Sequence, residues 1–364
     1  MCRQMVSIEG KKFWKLRRNR VGLTDSIQIA VDSMGGDYGP AITVPAACDA
    51  VNSYQNLKIS LYGNVHAIEN ALIDEGFALT DRISIVECSS EVKNTDKPSE
   101  VIKHKSDSSL CKSIKDLADG NVDGCVSAGS TAALLMQGIR LIDTVPGIKR
   151  PAICATAPTY HGKVSLLDLG ANVECNAQML HQFAVIATMK CRVLNGIDEP
   201  IVKLLNIGEE KNKGTPKLRL AADLLAADTN INYQGFIEGD NLLNDTVDVI
   251  VCDGFAGNIA LKTAEGVAKL AITAATDVIQ NNPSLRLVSK LFKKSLNEYR
   301  DKLNPAPHNG AVFLGLNKIL VKSHGSASRN AFKHAIHRAF TMVQKDFINL
   351  MEPEIKTYDW KVVP

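Results

Sequence analysis

Aromatic residues make up only 5% of this 364-residue sequence, and its formal net charge is just +3. Few aromatic faces and so weak a charge leave little for stacking bases or tracking a phosphate backbone, so nothing here argues for a nucleic-acid partner. No C-x-x-C pair occurs; nine cysteines stand singly, which fits reduced thiols in a cytoplasmic setting better than a disulfide framework or a zinc site. Cys125, Cys154 and Cys252 sit in apolar, strand-like runs and read as core residues. No uninterrupted apolar run approaches the length of a membrane span. His66, His104, His161, His181, His308, His334 and His337 lack metal-ligand spacing, so no metal is expected. The dinucleotide fingerprint G-x-G-x-x-G fails because Met34 stands where its first glycine should be, and G-K-[ST], H-E-x-x-H and G-x-S-x-G do not occur. Nicotinamide, ATP and serine-hydrolase readings lose their usual support, and no cofactor is expected.

The first 25 residues carry Arg3, Lys11, Lys12, Lys15, Arg17, Arg18 and Arg20 without an apolar core segment, unlike a secretory signal. They read as a disordered basic extension, or as an upstream start, ahead of one domain spanning 26–364. Attraction of this extension to anionic lipid or RNA is the weaker reading.

What is present starts at Ile27–Asp32, a β-branched run that ends on an acid and meets the turn Ser33-Met34-Gly35-Gly36-Asp37-Tyr38-Gly39-Pro40. A turn so rich in glycine lets backbone N–H groups approach an anion, and a helix starting near Thr43 would add its own free N–H groups. Further strands are expected at Leu57–Tyr62, Ile83–Glu87, Gly124–Val126, Ala152–Thr156, Val164–Asp168, Ile201–Leu205, Val247–Cys252 and Lys318–Lys322. Helices are expected at Val44–Tyr54, Val65–Glu75, Thr131–Leu141, Asn176–Leu194, Thr215–Ala227 and Asn258–Ile279. This alternation predicts crossover connections and a three-layer α/β/α sandwich, Rossmann-like, with a mainly parallel sheet.

Several strands end on a small or polar residue next to glycine: Asp32, Ser127, Asp168 and Asp253. In open α/β sheets the ligand crevice lies beyond the carboxyl ends of the strands, so these endings are expected to line one cleft. A cationic amphipathic helix is expected over 284–300, within an excursion at about 280–305. Leu285, Val288, Leu291, Phe292, Leu296 and Tyr299 share one face, with Arg286, Lys290, Lys293 and Arg300 opposite. Such a face packs on protein or lies in an anionic bilayer interface.

Five blocks follow the opening turn in order: Asp123–Thr131, Leu167–Val173, Asn206–Gly214, Asp248–Asn258 with Lys262, and Gly315–Ser326. In this series the chain resembles, over about residues 26–350, the bacterial phosphate acyltransferases of phospholipid synthesis. The resemblance implies a fold like that of isocitrate and isopropylmalate dehydrogenases. It also implies transfer of a long-chain acyl group from acyl carrier protein to inorganic phosphate. Further implications are a homodimer, peripheral contact with the inner face of the membrane, and a downstream acyl-phosphate glycerol-3-phosphate acyltransferase. Asn and Gly are usual in that family where this chain has Ser130 and Ala132.

A thioester needs no strong acid to expel a thiol whose pKa is about 8.5, and phosphate is already ionised near neutral pH. The protein must instead hold two anionic partners together and stabilise an oxyanion. The residues expected to do so are Lys262, Lys322, His324 and Asp253 as catalytic groups. Asp32, Gly35, Gly36, Asp37, Ser127, Gly129, Ser130, Thr131, Asp168, Asn172, Asn258, Ser323 and Gly325 are the expected phosphate and substrate contacts. The alternatives are a phosphate acetyltransferase-like enzyme using acyl-coenzyme A, a decarboxylating dehydrogenase, and a non-catalytic scaffold that binds the carrier protein at a membrane.

Overall fold

The computed structural model describes residues 26–358 and 360, apart from 94, 161, 245, 283 and 285–307. The amphipathic face assigned to Leu285, Val288, Leu291, Phe292 and Leu296 therefore lies outside the described residues.

Eleven strands form one sheet in the order β3-β2-β1-β4-β11-β10-β5-β6-β9-β7-β8. They are β1 Ile27–Asp32, β2 Leu57–Gly63, β3 Ile83–Glu87, β4 Gly124–Ser127, β5 Ala152–Thr159, β6 Gly162–Leu167, β7 Ile201–Leu205, β8 Asn232–Ile237, β9 Val249–Val251, β10 Ala311–Leu314 and β11 Ile319–Lys322. All neighbours run parallel except β11–β10, β10–β5 and β5–β6.

The helices are α1 Pro40–Ser53, α2 Val65–Asp74, α3 Pro98–His104, α4 Ser109–Asp119, α5 Thr131–Leu141, α6 Ala177–Lys190, α7 Pro216–Ala227, α8 Gly254–Asn281, α9 Arg329–Gln344 and α10 Phe347–Thr357. They cover both sheet faces. Alternate residues of β1 divide between two cores: Ile29 and Val31 join Val44 of α1, Phe183 of α6 and Phe332 of α9. Ala30 joins Leu110 and Ile114 of α4 and Leu134 of α5 on the other side. That split is the period-two signature of a strand buried on both faces. Among the described residues, no helix is long and apolar enough to cross a membrane.

Two expectations change. The helix expected from about Val44 begins at Pro40, because proline is favoured in the first turn and Gly39 adopts a positive φ of 49° before it. The helix expected from Asn258 begins at Gly254, capped by Asp253 Oδ1, which accepts from the Ala256 N–H at 2.9 Å. The Asp253–Asn258 turn is thus the opening of α8.

Candidate active site

The strands that carry the expected site residues do not all run in one direction. Through β10 and the β5–β6 hairpin the chain reverses, so β6 and β9 run antiparallel to β1, β4 and β11. The carboxyl ends carrying Asp32, Ser127 and Lys322 therefore form one edge, and the strands leading to Asp168 and Asp253 run in the opposite sense. The two sets still come together, since α8 starts on the Asp168 loop and carries Lys262 to 3.2 Å from His324. Hydrophobic pattern reads strand positions but not strand direction.

At the first edge, Asp32 is buried and its Oδ2 accepts from Ser127 Oγ at 2.6 Å, while Ser127 Oγ accepts from the Gly129 N–H at 2.9 Å. Burial pushes the Asp32 carboxyl up, opposed by the nearby dipoles of Ser109, Ser127, Met34 and Gly35. Among the described residues its Oδ1 is buried without a hydrogen-bond partner. Gly35 leaves no room for a side chain: a Cβ there would stand 2.6 Å from Asp32 Oδ2 and 2.8 Å from the Gly129 nitrogen. The Asp37 N–H donates to Gly325 O at 2.9 Å, joining the glycine turn to the loop after β11. Ser323 N–H donates to Ser127 O at 2.8 Å, which ties that loop to β4.

Lys322 pairs in register with Ser127 and donates from Nζ to Ala128 O at 3.2 Å and to Ser323 O. Burial, then the charge of Lys262, lowers its pKa to about 8. His324 is held by its own backbone: its N–H donates to Asn309 Oδ1 at 3.1 Å, and Asn309 Nδ2 donates to Ser323 Oγ at 2.8 Å. His324 Nδ1 lies 3.2 Å from the Ser326 nitrogen. Ser326 Oγ lies 2.9 Å from the same Nδ1, so the neutral ring can donate from Nδ1 to that hydroxyl and accept at Nε2. Burial and then Lys262 hold the imidazole below its usual pKa, which favours that neutral form. Lys262 Nζ lies 3.2 Å from this Nε2 and 2.7 Å from Glu265 Oε2. The ammonium can only donate, so Nε2 accepts from it, and with Glu265 taking a second N–H, one of the three is left for a further acceptor such as an anion.

Ser130 caps α5, its Oγ accepting the Ala133 N–H at 3.4 Å, and Thr131 is the first residue of that helix. An open cavity of about 330 Å³ is bounded by Met34, Gly36–Pro40 and Glu91–Lys93; Lys262 and His324 are not among its walls.

Asp168 forms a second cluster. Its carboxylate is buried and accepts from the N–H groups of Ile153, Gly170, Ala171 and Asn172 and from Asn172 Nδ2. Asn172 Oδ1 in turn accepts from Arg150 Nε at 3.0 Å. The Gly254 N–H donates to Asn172 O at 2.8 Å, which seats the start of α8 on this loop, and Asp253 Oδ2 lies 3.1 Å from Lys217 Nζ. Asn258 lies against Gly170. Asn258 and Lys262 are four residues apart in α8 and share one helix face, about 6 Å apart along the axis. The first turns of α8 therefore join the Asp168 cluster to the Lys322–His324 edge. At the end of β7, Asn206 is buried, with neither amide atom partnered among the described residues, and packs on Gly214, whose φ is +81°.

Arg150, Lys217, Glu265 and Asn309 went unread in the sequence. Glu265 was findable three residues past Lys262 on one helix; the other three meet their partners only through tertiary structure. Among the described residues, no group of His, Cys, Asp and Glu could hold a metal ion.

An α/β scaffold of this kind is similar to solved phosphotransacylases. Over 93% of this chain and 99% of the other it matches a phosphotransacetylase from Streptococcus pyogenes, with a TM-score of 0.60 at 18% identity. A branched-chain phosphotransacylase from Enterococcus faecalis V583 matches with a TM-score of 0.55 at 14% identity, over 87% of this chain and 99% of that one. Residues 27–350 match the family described as fatty acid synthesis protein. The phosphate acyltransferase of Pseudomonas fluorescens Pf0-1 is 43% identical over 318 residues, 87% of this chain and 94% of the relative. That of Shewanella woodyi is 40% identical over 336 residues, 92% and 98% of the two chains. The chain belongs to this phosphate acyltransferase family.

Proposed function

We propose that this chain transfers a long-chain acyl group from the thioester of acyl carrier protein to inorganic phosphate, giving an acyl phosphate and the free carrier thiol. The observation that carries the reading is the meeting of Lys262 Nζ and His324 Nε2 at 3.2 Å, with the Lys322 ammonium behind them. Support for phosphate as acceptor comes from the names of relatives at 43% and 40% identity.

In this reading Lys262 and His324 hold the phosphate, and one of its oxygens attacks the thioester carbonyl. The new O–C bond forms, the C–S bond breaks, and the proton of hydrogen phosphate ends on the departing thiol. Fixed donors at the carbonyl oxygen lower the barrier more than a strong acid would, since the thiol leaves readily. Ser127 and Asp32 act through Gly129: their hydrogen-bond chain fixes the turn before α5. Ser130 and Thr131 at the start of α5, and Gly36, Asp37 and Gly325 at the loop contact, shape the entrance. Asp168, Asn172, Asp253 and Asn258 set the position of α8 and hence of Lys262.

The proposal extends to a cytoplasmic homodimer that touches the inner face of the membrane peripherally and hands its product to an acyl-phosphate glycerol-3-phosphate acyltransferase. Its supports are the amphipathic pattern of residues 284–300 and the exposed Val267, Leu270 and Val278 of α8. Donor choice is tested by comparing palmitoyl-acyl carrier protein with palmitoyl-coenzyme A. A kcat/KM at least tenfold higher for the carrier-protein donor is expected; equal or inverted values overturn the donor assignment.

A further inference from the structure

A second concentration of positive charge lies on the sheet face beneath α9. Thr156 of β5 and Ser165 of β6 are cross-strand partners. Lys190, the last residue of α6, is 2% exposed, and its Nζ donates to Thr156 Oγ1 at 3.2 Å and to Ser165 Oγ at 2.8 Å. From α9, Arg338 Nη1 donates to the same Thr156 Oγ1 at 3.1 Å. Among the described residues neither cation has a carboxylate partner. Sequestered charges normally occur paired, because hydroxyl dipoles offset only part of the lost hydration.

The donor count points the same way. Thr156 Oγ1 accepts from two cations, which uses both of its lone pairs and leaves its O–H as a further donor. Lys190 uses two of its three N–H groups, and Arg338 one of five. Lys163 adds to the positive surroundings; burial, then Lys163, Arg338 and His334, holds His308 at about 4 and so uncharged near neutral pH. What is missing is a group that accepts several hydrogen bonds and carries negative charge.

We infer that Lys190, Arg338, Thr156 and Ser165 form a second oxyanion site, separate from Lys262 and His324, that takes a phosphoryl group. A guanidinium fork, an ammonium and hydroxyls approaching from different directions suit a tetrahedral oxyanion better than a planar carboxylate. Inorganic phosphate and a phosphate monoester share this chemistry. His308, within the influence of Arg338, precedes Asn309, which holds the His324 amide.

Equilibrium dialysis of the full chain against radiolabelled inorganic phosphate, in buffer free of other oxyanions, counts the sites. Two per chain are expected in the wild type, one in Lys262→Ala/His324→Ala, and none when Lys190→Met and Arg338→Gln are added to that background. A count left unchanged by the Lys190 and Arg338 substitutions in a folded protein overturns this site. Equal counts for wild type and Lys262→Ala/His324→Ala overturn the active-site reading instead. Melting curves guard against misfolding: Lys190→Met removes an unpaired buried cation, so in phosphate-free buffer its Tm is expected to match or exceed the wild type. Arg338→Lys, which keeps the charge but loses the fork, is expected to bind at least fivefold more weakly. In the Lys262→Ala/His324→Ala background, a Tm rise with methyl phosphate but not inorganic phosphate, abolished by Lys190→Met, assigns an ester-borne group. A rise with either probe that survives Lys190→Met contradicts the site.

Discussion

Lys262 Nζ lies 3.2 Å from Nε2 of His324, although 62 residues separate them in the chain. One comes from the third turn of α8 and the other from the loop after β11, so their meeting depends on how α8 is seated. Both line the same small volume. Replacing either by alanine is expected to raise the KM for phosphate and to lower kcat by roughly 10²–10³-fold, the usual cost of losing one donor to a developing oxyanion. Because Lys262 contributes to holding the His324 pKa down, Lys262→Ala is also expected to raise that pKa, which an NMR titration of the imidazole reads directly.

Lys322 gives a pH dependence of known sign. With its pKa near 8, the ammonium loses its proton as pH rises through that value, so kcat/KM for phosphate is expected to fall above pH 8. Lys322→Met should have low activity without this alkaline limb. Stability moves the other way. Between pH 8 and the unfolded value of about 10.4, the unfolded chain keeps a proton that the folded chain has released, so this group's contribution rises with pH.

Gly35 is a packing requirement of the Asp32–Ser127 pair. Gly35→Ala places a methyl 2.6 Å from Asp32 Oδ2 and 2.8 Å from the Gly129 nitrogen, with backbone on one side and a hydrogen-bonded carboxylate on the other. The expected cost is about 1–3 kcal/mol, read from the denaturant midpoint, with loss of activity as the turn before α5 shifts.

Far from this edge, buried His181 Nε2 lies 2.7 Å from buried Asp228 Oδ2, which also accepts from Tyr358 after α10. Although burial opposes it, bonding by His181, Tyr358 and Asn230 holds the Asp228 carboxyl below its usual range. The resulting stabilisation is present above the unfolded pKa of about 3.9 and is lost as pH falls through the folded value. Asp228→Asn is expected to cost about 3–5 kcal/mol near neutral pH and to flatten the acid limb of the stability profile, while leaving phosphate affinity unchanged.

Much of the layout was legible in sequence because its strands are short β-branched runs with helical periods between them. Ile27–Asp32, Ile83–Glu87 and Ile201–Leu205 match the strands residue for residue. β8 escaped notice: Asn232-Tyr-Gln-Gly-Phe-Ile mixes polar residues with Gly235 at φ +83°, as an edge strand tolerates. Strand direction was not legible either, since a hydrophobic run reads alike both ways and only pairing sets its sense. Asp32, Ser127, Lys322, Ser323 and Gly325 were found beside glycine turns and do lie together. Asn309 was missed because its partners, Ser323, His324 and Ala331, gather around it only when β10 and β11 pair.

The decisive assay mixes purified chain, palmitoyl-acyl carrier protein and inorganic phosphate, and follows free carrier thiol and acyl phosphate together. Equimolar, phosphate-dependent appearance of both, reduced at least a hundredfold in folded Lys262→Ala/His324→Ala, is the result expected. Thiol release without acyl phosphate, or turnover that the double substitution leaves within a few-fold of wild type, would contradict it.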